Sequence, residues 1–441
     1  MLPIGWFAAC VCAACADGVP RQHFIKAPVR ASATAGNSKG IPASVENATF
    51  EGVMLGQFDN PNVDIFPVGE RALVTVGATV IGYVERGGPI VRDATLSKGL
   101  PNVPGNKISF LVGDWPDGLV ALVGSFTGSG NPGNHHAYVR RNDNWTRIDS
   151  IANAGWDVPT SVAWDKDSLW VHVPENFQVI NGTLVKGQYP CTGSHRLRLE
   201  NVRFGKGANV LPEVDADFFP LDVIADAKGQ AYIWGWSACR PGLFVGALGR
   251  EHVKLELVPG SNACTERAKF NDLPSMTVRA FPAIDQGIYW LVYPSNATAA
   301  GAVPSCEGPT IYHRAGNGTW SARVLPRATA AWSTTAAEPY VDPEGVLWAA
   351  TANATVIRWT DKDVPTEYPL GPSCAHAQFN RDGEDQSLTL DAEHPVEKIV
   401  SASPSDIWAV VQYDQVQGLC RLRNSQNRIP SLSAASSAKT R

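Results

Sequence analysis

The sequence predicts an all-β fold, a seven-bladed β-propeller with four-stranded blades, and three observations support it. Short apolar runs that follow an acidic or Gly-containing turn recur seven times along 441 residues. A composition with 40 Gly, 32 Pro and 14 Trp suits short strands joined by tight turns. No stretch of helical length has a clear 3.6-residue apolar period, so long helices are not expected.

The repeat is measured from one marker position in the second strand of each unit. The markers are Leu73, Ala121, Trp170, Tyr232, Trp290, Trp348 and Trp408. They are separated by 48, 49, 62, 58, 58 and 60 residues. This period is typical of propeller blades, each of which holds about four strands and cannot bury its faces alone. We therefore interpret the large marker side chains as wedges between neighbouring blades.

Each unit divides into four strands, here named A to D in chain order. The fourth unit gives "PLDVIAD", "GQAYIWGWS", "GLFVGALG" and "VKLELV", with an Asp/Gly turn between the first two. The seventh unit supplies only three strands before a Ser/Ala-rich tail. We expect the segment 46–56, "ENATFEGVMLG", to be its fourth strand, which would close the ring and cover its edges.

The two ends of the chain differ in composition from this repeat. Residues 1–16 resemble a signal peptide, and a lipoprotein signal ending at Cys15 is the alternative interpretation. Residues 17–44 are interpreted as a flexible tether, 45–424 as the propeller and 425–441 as a disordered tail. We expect an exported protein, secreted or in the cell envelope, whose contact with a membrane is at most a lipid on Cys15.

The cysteines outside the signal fit an oxidising compartment. Six of them remain, and an even number in an exported chain indicates three disulfides. Separations of about one unit favour the pairs Cys191–Cys239, Cys264–Cys306 and Cys374–Cys420 among the 15 connectivities that six cysteines allow. None of these six cysteines lies in a C-x-x-C or in a Cys/His cluster with zinc-site spacing. No metal or other cofactor is therefore expected beyond a divalent cation at the acidic ring described below.

The run "DPEGVLWAAT" of the sixth unit resembles the blade repeat of the ligand-sensing propellers in two-component-regulator ectodomains. "SPSDIWAV" of the seventh unit is similar to repeats of bacterial exported propeller proteins. The resemblance covers residues 60–424 and is confined to the repeat. It implies blades and no particular reaction, because propellers carry enzymes and binding proteins alike.

A second repeat precedes the first strand of each unit, where an acidic residue or Asn is followed by Pro. Loops at this position converge around the mouth of the central channel, on a rigid scaffold, so these side chains are the candidate ligand-binding ring. Its predicted members are Asp59, Asp157, Asp217, Asp272, Glu338, Glu393 and His394. Glu393 and His394 are also the candidates for acid–base catalysis. The alternative is that each acid only caps its own turn.

The other histidines are weaker candidates. His135 and His136 are expected in a Gly/Asn-rich loop between strands B and C of the second unit, where an adjacent pair is usually solvated. His172 is interpreted as a packing residue of a B strand, and His195 and His313 as structural residues of C strands.

We expect a binding scaffold rather than an enzyme, a monomer that binds a small polar ligand, a glycan or a protein on the disulfide-braced face. The alternative is a propeller enzyme, of polysaccharide-lyase or lactone-hydrolase type, that uses the ring carboxylates and His394. A net charge of −5 with both signs interspersed gives no basic surface for nucleic acid.

Overall fold

The protein is described by a computed structural model that covers residues 48–423 with internal gaps. Those gaps are 54, 56–61, 86–87, 102, 104, 126–134, 152–160, 165–167, 173–178, 181–182, 185–191, 197–198, 204–211, 216, 238, 241, 250, 263–275, 295–308, 326–337, 352–353, 361–364, 382–383, 392–394, 404–405 and 414–415. The predicted signal, tether and tail lie outside the described residues.

The described chain is an all-β propeller of antiparallel sheets, with β1 (Thr49–Val53) at its start. Sheet one contains β2 (Val63–Val68), β3 (Arg71–Val76), β4 (Thr79–Glu85) and β5 (Ile90–Arg92). A 3-10 helix, Ala94–Ser97, leads to sheet two. Sheet two contains β6 (Asn106–Gly113), β7 (Leu119–Ser125), β8 (His135–Arg141) and β9 (Asn144–Ile151).

Sheet three is the exception, with three strands in the order β10, β11 and β15. The strands of this region are β10 (Ser161–Trp164), β11 (Ser168–His172), β12 (Val179–Ile180), β13 (Thr183–Leu184), β14 (Ser194–Arg196), β15 (Leu199–Arg203) and β16 (Glu213–Asp215). His195 lies in β14, which pairs with β16 and not with β11, so its predicted place in a C strand is wrong. The C position belongs to β15, because Leu199–Arg203 forms the ladder with β11.

The remaining sheets return to the four-stranded pattern. Sheet four contains β17 (Phe218–Ala225), β18 (Ala231–Ser237), β19 (Leu243–Ala247) and β20 (Leu255–Leu257). Sheet five contains β21 (Met276–Pro282), β22 (Ile288–Pro294), β23 (Thr310–Arg314) and β24 (Trp320–Val324). Sheet six contains β25 (Tyr340–Val341), β26 (Leu347–Ala350), β27 (Thr355–Trp359) and β28 (Thr366–Pro369).

A helical turn, Pro372–Ala375, and a hairpin separate sheet six from sheet seven. The strands here are β29 (His376–Arg381) and β30 (Glu384–Thr389) of the hairpin, then β31 (Val396–Ser403), β32 (Asp406–Tyr413) and β33 (Val416–Arg423). Sheet seven has the order β1-β33-β32-β31, and in its outer pair Thr49 lies opposite Arg423 and Val53 opposite Leu419.

The prediction of seven four-stranded blades therefore needs a correction. In the described part of the chain, six sheets have four strands and sheet three has three. The stretch after β15 where its fourth strand would follow, 204–211, falls in a gap of the description.

The core is divided among the seams between sheets. Among the described residues there are seven apolar clusters. Six of them join two sheets that are consecutive along the chain, and the seventh joins sheet seven to sheet one. The marker side chains Trp170, Trp290, Trp348 and Trp408 are all buried in these clusters. Their predicted role as wedges is confirmed, because a sheet hides its apolar face only against its neighbour.

The acidic turn between strands A and B has a clear local role in sheet six. Asp342 Oδ1 accepts hydrogen bonds from the backbone N–H groups of Glu344 and Val346, at 3.0 and 2.9 Å. Its Oδ2 accepts one from Trp348 Nε1 at 3.0 Å, and Gly345 supplies the left-handed residue at φ 84°. The motif thus fixes the turn and the wedge tryptophan together.

Candidate functional site

Two of the seven predicted ring residues lie in the described part of the chain. Asp217 directly precedes β17, and Glu338 shortly precedes β25. The others lie outside the described residues, namely Asp59, Asp157, Asp272, Glu393 and His394. Asp217 and Glu338 are therefore the part of the predicted ring whose surroundings the structure describes.

Asp217 is buried and joins two loops of sheet four. It accepts hydrogen bonds from Ser237 Oγ and from Arg240, whose Nε lies 3.1 Å from Oδ2 and whose Nη2 lies 3.2 Å from Oδ1. Ser237 ends β18, and Arg240 follows it in the connection to β19. The Asp217 carboxylate, which precedes β17, therefore accepts hydrogen bonds from side chains at and after the end of β18. These bonds hold in place the loop that carries Arg240.

Arg240 continues this arrangement towards solvent. Its Nη2 donates to Asp215 Oδ2 at 2.8 Å, and its guanidinium lies 4.7 Å from the centre of the Phe244 ring. His252 Nε2 lies 3.3 Å from the second oxygen of Asp215. The side chains of Arg240 and His252 are 43% and 47% exposed, so a bound molecule can reach them. We call Asp215, Asp217, Ser237, Arg240 and His252 the Arg240 cluster.

Glu338 belongs to a second polar group, which spans several sheets. Its carboxylate accepts a hydrogen bond from Arg279 Nη2 of β21. Arg279 Nη1 also lies 3.9 Å from Asp222 Oδ2 of β17, and Asp222 Oδ1 lies 3.5 Å from His172 Nδ1 of β11. We call His172, Asp222, Arg279, Tyr293 and Glu338 the Arg279 cluster.

This cluster grades from a buried end to an exposed end. The side chains of His172 and Asp222 are 5% and 10% exposed, whereas Arg279 is 33% and Glu338 62% exposed. Burial, and then the charge of Glu338, raise the pKa of Tyr293, so its phenol stays protonated at neutral pH. The buried end holds the arginine, while the exposed end remains open to a ligand.

Sequence reasoning missed the charged residues inside the first strands of the units. Asp222 and Arg279 lie within β17 and β21, and Lys398 of β31 contacts Asp64 of β2 at 2.7 Å between Nζ and Oδ1. A signal was present, because a single charge interrupts each of the apolar runs "LDVIA" and "TVRAF", and two adjacent charges precede the apolar residues of "EKIV". A charge in an innermost strand needs a partner in the neighbouring sheet, and that partner is not visible in the local sequence.

The expected loop position of the paired histidines is wrong. His135 and His136 are the first residues of β8, because the ladder with β7 extends to the pair Gly124–His135. His135 is buried, and successive strand residues face opposite sides of the sheet. Burial, and then the charge of Arg147, lower the pKa of His136. Among the described residues, no group of three or more His, Cys, Asp or Glu side chains is placed to hold a metal ion.

His172 and His313 occupy their predicted strands. His172 is buried in β11 and faces Asp222, as a packing residue with a polar contact. His313 lies in β23, stacked on Tyr289 at 4.4 Å between ring centres. Its Nε2 lies 3.2 Å from Asp285 Oδ1.

One predicted disulfide is confirmed. Cys374 and Cys420 are bonded, with their Cα atoms 5.9 Å apart, and the bond fastens the turn before β29 to β33. Cys239, beside Arg240, is also disulfide-bonded. Its predicted partner Cys191 lies outside the described residues, as do Cys264 and Cys306, and these pairings stay predictions.

In the described ranges, no helix has the length and apolar composition needed to cross a bilayer.

Comparison with known proteins gives no family for this chain. No protein-family model matches the sequence, and no curated protein matches it either. Among solved structures, it is similar to an oligogalacturonate lyase from Vibrio parahaemolyticus, with 9% identity, a TM-score of 0.42, and coverage of 86% of this chain and 91% of the lyase. It is also similar to YCF48 bound to D1 peptide, with 10% identity, a TM-score of 0.41, and coverage of 87% and 97%. These likenesses carry no argument about activity.

Proposed function

We propose that the protein is an exported propeller scaffold that binds a small, hydroxyl-rich polar ligand, such as a glycan, at the mouth formed by the loops before the inner strands. The observation that carries the proposal is the partly exposed ion pair of Arg279 and Glu338. The buried Asp222 forms a second ion pair with Arg279 and restrains its guanidinium. The Arg240 cluster adds a second partly exposed set of donors and acceptors.

The proposal includes a closed ring of seven blades, with β1 completing the last one. Two observations support this closure. β1 forms a five-residue ladder with β33, and an apolar cluster joins sheet seven to sheet one. In such a ring the loops before all inner strands surround one opening, as the predicted acidic ring requires. We propose Asp59, Asp157, Asp272, Glu393 and His394 as its further members.

The chemistry of the described clusters suits hydroxyl groups. A carboxylate only accepts hydrogen bonds and a guanidinium only donates them, whereas a hydroxyl does both. A sugar with neighbouring hydroxyls can therefore bridge Arg279 and Glu338 without leaving either charge unpaired. Because Asp222 already restrains Arg279, little side-chain freedom is lost on binding.

An exported location is proposed on separate grounds. The Cys374–Cys420 bond and the bonded Cys239 are the kind of cross-links that persist in oxidising compartments. Such a compartment is also where a glycan ligand would be met.

The test is a binding screen on the full-length protein. Neutral and uronic-acid-containing oligosaccharides are added to wild type in a thermal-shift assay, with Ca²⁺ and with EDTA, and hits are measured by calorimetry. Glu338→Gln and Arg279→Gln are expected to weaken a hit by about tenfold or more, because each removes a charged hydrogen-bonding group.

Arg71→Gln is the matched control. Arg71 and Glu85 form another ion pair of similar exposure, 34% and 48%, in sheet one next to the turn between β2 and β3. This variant should bind as wild type does. A screen without hits, or a hit that both cluster variants retain, would overturn the proposal.

A further inference from the structure

A cavity of about 240 Å³ lies in the seam where sheet seven meets sheet one. Its apolar walls include Val53 of β1 and Ile81 of β4. Its polar lining is Arg92 of β5, Trp408 of β32 and Arg421 of β33. We call this space the seam cavity. It is separate from the Arg240 and Arg279 clusters, with which it shares no residue.

Arg421 is 2% exposed and only partly satisfied. Its Nε donates to Asp406 Oδ1 and its Nη1 to the carbonyl oxygen of Gly88, both at 2.5 Å. Its Nη2 has no hydrogen-bond partner among the residues that the structure describes. The guanidinium lies 4.7 Å from the centre of the Trp408 ring, which fixes both side chains.

Trp408 repeats this pattern. It is 1% exposed and packs as the wedge of its seam, yet its Nε1 has no partner within the described protein. Among the equivalent wedges, Trp348 Nε1 donates to Asp342, whereas Trp290 Nε1 also lacks a partner within the described protein. Trp408 is distinguished from Trp290 by its place in the lining of the seam cavity, beside a second unpartnered donor. A buried donor without an acceptor is destabilising, because it has lost its hydrogen bonds to water and gained none in the protein. Two such donors on side chains that line one cavity indicate that an acceptor belongs there.

The charges around the cavity select the kind of acceptor. Arg92 and Arg421 carry two positive charges and Asp406, bonded to Arg421, carries one negative charge, which leaves one positive charge. Arg92 donates one hydrogen bond to the carbonyl oxygen of Leu55 and is itself exposed, so it can also meet an incoming anion. The remaining walls favour hydrocarbon.

We propose that the seam cavity binds a small monocarboxylate with an apolar body. The carboxylate would accept from the exposed Arg92 and, after a small shift of the two buried side chains, from Arg421 Nη2 and Trp408 Nε1. The hydrocarbon part would fill the space between Val53 and Ile81. A 150 Å³ cavity holds one benzene, so this volume corresponds to about ten non-hydrogen atoms. Bound here, the ligand would join the first and last sheets and stabilise the folded ring by mass action.

The probe is phenylacetate, with phenylacetamide as its neutral isostere, added to the full-length protein. We expect phenylacetate to raise the melting temperature and to shift one indole ¹H–¹⁵N resonance, assigned to Trp408 by its absence from Trp408→Phe. Phenylacetamide and the exposed-site variant Arg92→Gln should each lower affinity by about tenfold or more, because each removes a charged partner.

Two further variants separate binding from damage to the core. Val53→Phe fills the cavity and should abolish the shift. Trp348→Phe alters an equivalent wedge that does not line the cavity and should preserve binding. Equal affinity for acid and amide, or no change of the Trp408 resonance at saturating phenylacetate, would overturn the proposal, as would undiminished binding by Val53→Phe.

Discussion

Two arginine–carboxylate pairs in this propeller have the same chemistry and opposite surroundings. Arg279 and Glu338 link sheet five to the loop before sheet six, and their side chains are 33% and 62% exposed. Arg421 and Asp406 link two strands of sheet seven, and each is 2% exposed. The first pair is solvated and can exchange partners with a ligand. The second pair is buried in the core, where each charge is stabilised by its partner because water cannot solvate it.

The largest expected effect is loss of one partner of the buried pair. Asp406→Ala leaves Arg421 buried and uncompensated, and we expect it to lower the free energy of unfolding by about 3–5 kcal/mol. Urea denaturation followed by tryptophan fluorescence measures this. The double variant Asp406→Leu with Arg421→Met, which removes both charges, should recover much of the loss. A single variant as stable as wild type would mean that the pair is not buried in solution.

The disulfide of the same sheet should rank next. The disulfide closes a loop between two cysteines that are 46 residues apart, and so restricts the unfolded chain. Replacing Cys374 and Cys420 together by Ala removes this restriction and should lower the free energy of unfolding by about 2–4 kcal/mol. Thermal and urea unfolding without reductant compare the variant with wild type. Identical unfolding curves would show that this cross-link does not stabilise sheet seven.

The smallest effect is expected at the exposed pair. Glu338→Gln should change the free energy of unfolding by less than about 1 kcal/mol, since exposed ion pairs contribute little. Arg71→Gln, in the exposed pair of sheet one, should behave alike in the same urea experiment. A loss comparable to that of Asp406→Ala would show that Glu338 is a structural residue, and the contrast between the two regions would fail.

Much of the fold could be predicted because each unit of the repeat has the same short pattern of an acidic turn followed by an apolar strand. The turn acid Asp342, Gly345 and the wedge Trp348 lie within seven consecutive residues, and Asp342 is hydrogen-bonded to both of the others. The strand pairing around sheet three could not be predicted in this way. Its short strands β14 and β16 pair with each other, and no local pattern distinguished them from blade strands.

The candidate site was predicted less completely. Asp217 and Glu338 were found from the acid-before-Pro repeat, but not their arginine partners. Arg240 follows β18 as one charge in a loop, and its role depends on a carboxylate 23 residues away. Arg279 meets Glu338 across 59 residues.

By itself, the sequence determined the all-β class, the phase of the repeat and the wedge residues, because short-range periodicity and turn chemistry encode them. It also favoured the Cys374–Cys420 bond, because the two cysteines are separated by about one unit of the repeat. Only the tertiary structure decided which charges are paired, which donors stay free and where the seam cavity lies. Those features arise where distant segments meet, as when Arg421 binds the carbonyl oxygen of Gly88 across 333 residues. Burial, which sets the energetic weight of each charge, exists only after the sheets have packed.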